Sequence, residues 1–347
     1  MARWLEGLER RARRALSREL FEYVAGGAGD GVTSAEAAAR WEAVRFRPRV
    51  LRDVTQVDLG SAALGTELAV PWAVAPTTLQ RAVHRDGDVA MARAAAASGS
   101  LIVVSSNTGT PFEEIGTEGA PWWLQAYLPA DRTLAEPLLA RAVASGASAI
   151  VLTVDTPVVA TKHPRSGVDV WDRIDPGLVG VNHDPGLAGQ PGSEKAADLG
   201  PHDLGWLAQT TGLPVVVKGV LRPDDARRCV QAGAAAVWVS THGGRQLDRA
   251  AATADCLSEV VAAVGEEAEV YVDGGIRSGL DLLAALALGA DLVFLGRLPL
   301  YGLVEGEPGA RRVHDELRAE LVEAMRLAGC RRPREARELG VSALTRG

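Results

Sequence analysis

The chain has 347 residues, 47% hydrophobic and 23% charged, which is enough apolar material for a well-buried globular core. A formal charge of -7 argues against nucleic-acid binding, which needs a basic face. Cys229, Cys256 and Cys330 form no CxxC pair and the six histidines no HxxxH pair, so no metal is expected and free thiols suit a reducing, cytoplasmic compartment.

The N-terminus, "MARWLEGLERRARRALSREL", is rich in arginine, but Glu6, Glu9 and Glu19 argue against a transit peptide, which is poor in acids. It reads as an amphipathic surface helix. No apolar run approaches the roughly 18 residues of a membrane span. The closing "TRG" matches no address signal.

From there one unit recurs. A helical stretch ends in a small residue and glycine, a short apolar run follows, and a polar cluster closes it. Gly99, Gly146, Gly233 and Gly289 fit the position just past a helix, and Pro223 fits a first helical residue. The apolar runs are 71–76, 101–106, 121–127, 149–155, 214–219, 235–240, 270–275 and 292–297. They are apolar throughout rather than alternating, as in parallel strands buried on both faces. Eight such units predict an α/β fold of the (β/α)8 barrel type, with an open doubly wound sheet as the alternative. The expected organisation is a single domain over 1–347. It has a helical segment at 1–50, the barrel at 65–305 and a helical segment at 306–347, with a helix over about 308–329. The interval 156–213 is too long for one helix and is rich in Gly, Pro and Asp. It reads as a lid, a binding loop or a disordered stretch.

Barrel chemistry sits at the C-terminal strand ends. Those ends carry Pro76, Thr77 and Thr78; Ser105 and Asn107; Gln125 and Tyr127; and Thr153 and Asp155. Lys218 follows on the fifth run, Ser240, His242 and Arg245 on the sixth, Asp273, Gly275 and Arg277 on the seventh, and Gly296 and Arg297 on the eighth. Taken singly, the Ser, Thr and Gln residues are ordinary turn residues, Asp155 a helix cap and Arg245 a surface residue. Lys218 differs, because burying a lysine without a partner is costly. The convergence of these groups on one ring carries the functional reading. "VDGGIRSG" and "LGR" suit a phosphate, with Arg277 and Arg297 supplying charge. His242 and Asp155 suit a base and the carboxylate that orients it. Arg245 suits a substrate carboxylate, and Lys218 suits either charge stabilisation or a Schiff base.

These residues give the chain its resemblance. With "FEYVAGGAGD", "RFRPRVLRDV", "VAPTTLQ", "LQAY", "LTVDTP", "VVVKGV", "STHGGRQLD", "VDGGIRSG" and "FLGR" in order, it resembles the FMN-dependent 2-hydroxy acid oxidases and dehydrogenases over nearly its whole length. The resemblance implies FMN at the barrel mouth. Residues 76–78, Ser105, Gln125, Thr153 and Lys218 would surround its ring, with Lys218 stabilising the reduced flavin. Asp273 would hold the ribityl chain, and Gly275, Arg277, Gly296 and Arg297 the phosphate, with Ser240 also in the cofactor site. His242 would take a proton from a 2-hydroxy acid while two electrons pass to the flavin, as hydride or through a carbanion. Tyr127 would assist. Tyr23, Arg245 and Asn107 would contact the substrate. The resemblance also implies a homo-oligomer, a tetramer in this family, and reoxidation by oxygen or another acceptor.

The chain departs from the family after "TVDTP", where an arginine normally anchors the substrate carboxylate. Lys162 stands there, with Arg165 three residues on. Lysine is a point charge without the planar fork of arginine. Thr241 replaces an asparagine, Thr78 an alanine or glycine, and Asn107 a large aromatic, while Trp171 supplies bulk in the altered loop. The expected outcome is an intact redox centre with a re-specified substrate pocket, taking a less common 2-hydroxy acid or a larger molecule that carries that group. Two other readings compete: a Schiff-base aldolase barrel using Lys218, and a flavin-binding barrel without oxidase activity.

Overall fold

The computed structural model describes residues 4–164 and 166–343; Arg165 and the closing residues 344–347 lie outside them. The N-terminal segment forms α1 (Leu8–Ala15), α2 (Arg18–Ala25) and α3 (Val32–Glu42). Leu8 and Ala12 of α1 are buried while Arg13 and Arg14 are exposed, so the amphipathic reading holds. β1 (Val44–Phe46) follows and pairs antiparallel with residues 341–343, tying the two ends of the chain together. A hairpin of β2 (Ser61–Ala63) and β3 (Thr66–Leu68) comes next. Neither feature was expected, because three-residue strands are too short to show a periodicity.

The eight apolar runs then form β4 (Trp72–Val74), β5 (Ile102–Ser105), β6 (Trp122–Ala126), β7 (Ile150–Thr153), β8 (Val215–Val220), β9 (Ala236–Val239), β10 (Glu269–Val272) and β11 (Leu292–Leu295). All pair in parallel, and β4 pairs with both β5 and β11, so the sheet closes into a barrel rather than an open doubly wound sheet. The missing alternation has a direct cause. In β8, Val215 and Val217 pack outward under the helices while Val216 packs into the barrel interior. Both faces are dry.

Around the barrel lie α4 (Gln80–Val83), α5 (Gly87–Ala97), α6 (Phe112–Gly116), α7 (Glu136–Ala144), α8 (Pro201–Thr211), α9 (Pro223–Gln231), α10 (Thr253–Val264), α11 (Gly279–Ala287) and α12 (Arg297–Gly302). Pro223 opens α9 as expected. α13 (Gly306–Ala328) replaces the predicted 308–329, and β12 (Val341–Ala343) ends the described chain. Among the described residues no helix is long and apolar enough to cross a membrane.

The long segment after β7 is ordered by local chemistry. Asp169, Asp175 and Asp184 each open a short 3-10 turn by accepting the N–H two residues on. Buried Asn182 clips the segment to the strand-5 side, accepting from Phe112 N at 3.0 Å and donating to Thr110 O at 2.9 Å.

The barrel interior is filled by Trp123, Trp238, Tyr271 and Phe294, and Trp238 stacks on Phe294 at 3.7 Å between centroids. The hairpin seals the bottom: Ala63 and Leu68 join this cluster, and Leu64 N donates to Glu269 Oε1 at 3.0 Å. Phe294→Ala would leave a hole beneath the barrel mouth. A loss of about 3–5 kcal/mol is expected, measured by denaturant unfolding. A loss below about 1 kcal/mol would show that the interior is loosely packed there.

Candidate active site

Strand geometry decides which polar groups meet. Side chains alternate between faces along a strand. Ala73, Val103, Trp123, Val151, Val216, Trp238, Tyr271 and Phe294 point into the interior. Two residues further, the same parity delivers Ser105, Gln125, Thr153, Lys218, Ser240, Asp273 and Gly296 to the barrel mouth. A further step reaches Thr77, Tyr127, Asp155 and His242.

Two cavities open there. The inner one is lined by Pro76, Thr77, Thr78, Ser105, Gln125, Thr153, Lys218, Asp273, Gly275, Arg277, Gly296 and Arg297. The outer one, of about 530 Å³, is lined by Asn107, Lys162, Trp171 and Lys195, among others. Tyr23, Thr78, Tyr127, His242 and Arg245 border both. Of the expected residues, Ser240 and Asp155 line neither cavity and stand behind those that do.

Buried Lys218 donates to Ser240 Oγ at 2.8 Å and lies 3.1 Å from Asp273 Oδ2, while Ser240 donates to Asp273 Oδ1 at 2.7 Å. An amine held this way is a fixed donor, not a free nucleophile, which disfavours the Schiff-base reading. Gln125 donates to Thr153 Oγ1 at 3.0 Å.

His242 is left-handed at φ 56 and is followed by the left-handed Gly243 and Gly244. Its N–H donates to Ser240 Oγ at 3.0 Å, and its Nδ1 lies 3.0 Å from Asp155 Oδ1. That contact makes Nδ1 the donor and leaves Nε2 to act as acceptor. Burial pulls the imidazole below its ordinary value, and Asp155 opposes that pull. Burial also pushes the Asp155 carboxyl up, but His242 and Lys218 carry it below the ordinary range. The approach depends on Gly219, at φ 114, where the β8–β9 register slips. A Cβ there would sit 2.6 Å from Asp155 Cβ.

The N-terminal segment closes the mouth. Arg297 donates to the carbonyls of Val24, Gly26 and Gly243 at 2.8–3.1 Å. Arg245 donates to Tyr23 O and Gly26 O and stacks over the Tyr23 ring at 4.6 Å. Trp171 meets the same ring edge-on at 5.5 Å. Lys162 donates to Ala160 O at 3.2 Å; burial, then the charge of Arg245, hold it below the ordinary lysine value. Gln246 fixes that segment by accepting from Ala160 N at 3.2 Å.

Lys195 was not foreseen. Its Nζ lies 3.7 Å from the Tyr127 ring centroid, and burial draws it down to about 8. It comes from the Gly- and Pro-rich loop, where no motif marks it and only the folded loop brings it to the cavity.

The inner cavity fits a phosphorylated, planar polar cofactor. Arg297 is drawn down to about 10 by burial and is satisfied by carbonyls, with no carboxylate within 4 Å among the described residues. A phosphate would answer that charge. Thr77 Oγ1 is buried without a partner, as an oxygen or nitrogen of a bound group would require.

A model of FMN-dependent dehydrogenases matches residues 12–342. An L-lactate oxidase of Nostoc sp. is 41% identical over 342 residues, 93% of each chain. A glycolate oxidase of Spinacia oleracea is 38% identical, covering 96% of this chain and 93% of that protein. A crystal structure of mandelate oxidase with (S)-4-hydroxymandelic acid superposes with a TM-score of 0.91 at 37% identity, covering 98% of both chains.

The His242–Asp155 pair gives a direct test. Asp155 raises the imidazole against burial, so Asp155→Asn is expected to move the His242 titration further below the ordinary histidine value. Ring-proton NMR would measure it; an upward shift or none would show that the pair is uncoupled.

Proposed function

Since this chain belongs to the FMN-dependent dehydrogenases, and to their 2-hydroxy acid oxidase group, FMN is its cofactor, and we propose that it oxidises a 2-hydroxy acid to the 2-oxo acid with His242 as base. One observation carries this reading. His242 borders both cavities and has its ring held by Asp155 through Nδ1, which leaves Nε2 as the nitrogen able to accept a proton.

When bound, FMN supplies a two-electron acceptor. The residues of the inner cavity would hold it: Gln125, Thr153 and Lys218 around the ring, Asp273 at the ribityl chain, and Arg277 and Arg297 at the phosphate. Lys218 places a fixed positive donor where negative charge develops, and its bonds to Ser240 and Asp273 keep it from moving.

Arg245 and Lys162 both line the outer cavity, the charge of Arg245 lowers the lysine, and a carboxylate bound there would offset that like-charge repulsion. Lys162 thus takes the place of the family's second arginine as a point charge. Tyr23, covered by Arg245 and met edge-on by Trp171, and Tyr127 orient the acid, and Asn107 lines its path. His242 Nε2 takes a proton from the alcohol, and Asp155 stabilises the imidazolium that forms. The C–H and O–H bonds of the alcohol are lost, the carbonyl forms, and one electron pair leaves. Oxygen takes that pair with two protons and departs as hydrogen peroxide; relatives named as oxidases support this acceptor.

Anaerobic titration of the yellow holoenzyme with a panel of 2-hydroxy acids, followed by oxygen, tests the reaction and the acceptor together. Bleaching followed by recovery is expected. Lys162→Met should raise KM about 10- to 100-fold with a smaller change in kcat, the size of a lost charged hydrogen bond. Unchanged kinetics would remove Lys162 from the anchor. His242→Asn should lower kcat by about 10²- to 10⁴-fold. Because burial lowers the imidazole, wild-type kcat/KM should stay high at neutral pH and fall as the pH drops through a point below the ordinary histidine value. A profile that keeps rising through neutral pH, with its limb near the ordinary lysine range, would point to a different base.

A further inference from the structure

The outer cavity holds more positive charge than one carboxylate uses. Arg245 and Lys162 already answer the carboxylate beside the alcohol carbon, and Lys195 is a third cation on the same wall space. Among the described residues neither lysine has an acidic partner within 4 Å. The acid on the cavity lining, Asp184, is exposed and committed to capping a turn through Gly186 N. Asp155, the carboxylate whose charge reaches Lys195, is held by His242.

Lys195 is not a loose surface side chain. Its backbone is laid against the end of β6: Pro129 pairs with Lys195, Ala130 N donates to Glu194 O at 2.8 Å and Ala196 N donates to Leu128 O at 2.9 Å. The ladder points the ammonium over the Tyr127 ring, and Tyr127 borders both cavities. A half-buried ammonium on an aromatic face is partly stripped of water, and an anionic ligand group restores what it lost. The volume of about 530 Å³ leaves room for several carbons between the alcohol and such a group, along Leu134 and Leu138.

Resting on the 2-hydroxy acid reading above, we infer that the substrate is a 2-hydroxy dicarboxylate, whose second acid group is bound by Lys195 while Arg245 and Lys162 hold the first. Lys195 is here a specificity-determining residue. It contributes nothing to the redox step and acts only on which acid is held.

The test compares two acids of equal chain length, 2-hydroxypentanedioate and 2-hydroxypentanoate, as anaerobic reductants of the holoenzyme. Wild-type kcat/KM should favour the diacid by about tenfold or more, the scale of one charge-assisted hydrogen bond. Lys195→Met should cut that ratio by about tenfold or more, and Lys195→Arg should keep it. Calorimetry with 2-oxopentanedioate and 2-oxopentanoate reads the same preference as binding, without turnover. If 2-hydroxypentanoate bleaches the flavin but the wild type shows no diacid preference, the reaction class stands and this inference falls. A preference that Lys195→Met leaves intact also overturns it. Failure of every 2-hydroxy acid in the panel to bleach the flavin overturns the reaction class, and this inference with it.

Discussion

The interior of the barrel is closed by the rings of Trp123, Trp238, Tyr271 and Phe294, and the level of that plug sets where the polar residues stand. A close-packed apolar interior makes an unpaired polar group costly, and of the four rings Trp238 alone leaves such an atom, its Nε1, without a partner among the described residues. The inward positions can therefore become polar only above the rings. Ser105, Gln125, Thr153, Lys218, Ser240 and Asp273 occupy that next layer, and each follows an interior residue by two positions. Parity along the strand thus brings polar side chains from six of the eight runs to one layer, the matching positions just past β4 and β11 being Ala75 and Gly296. The sheet's closure sets those six around one mouth.

Charge in that ring is arranged by pairing and by enclosure. Lys218, Ser240 and Asp273 form a closed set in which each polar atom has a partner. His242 and Asp155 form a second, held together across a register slip that only a glycine at 219 permits. Among the described residues Arg297 is hydrogen-bonded to carbonyls, and neither it nor Lys162 nor Lys195 has a carboxylate within 4 Å. The first set is complete within the protein, whereas the second leaves Asp155 Oδ2 buried without a partner. The remaining cations are placed where a phosphate and an acid substrate would complete them.

Much of this was legible in the residues. Continuous apolar runs, four of them preceded by a helix ending in glycine, gave away eight buried parallel strands, because a strand dry on both faces has no reason to alternate. The strand-end residues named from the motifs came together, since a (β/α)8 barrel brings all its C-terminal strand ends to one face. What stayed hidden depends on partners far apart in the chain. β1 and β12 are three residues each and exist through pairing with one another. The β2–β3 hairpin matters through Glu269, some two hundred residues on. Lys195 reaches the cavity through a loop whose shape comes from aspartate-capped turns, and its neighbourhood in sequence carries no sign of Tyr127.

By itself the sequence determined the barrel and the identities of the residues at its mouth, because local periodicity and strand-end chemistry are written in consecutive residues, while the cofactor class came from the resemblance its motifs carry. It also showed that Lys162 stands where an arginine is usual. Only the tertiary structure decided which of those residues face an inner or an outer cavity, that Asp273 and Ser240 hold Lys218, and that Lys195 joins the substrate side. Those outcomes follow from distances between strands and loops, and from which charges burial leaves without a partner.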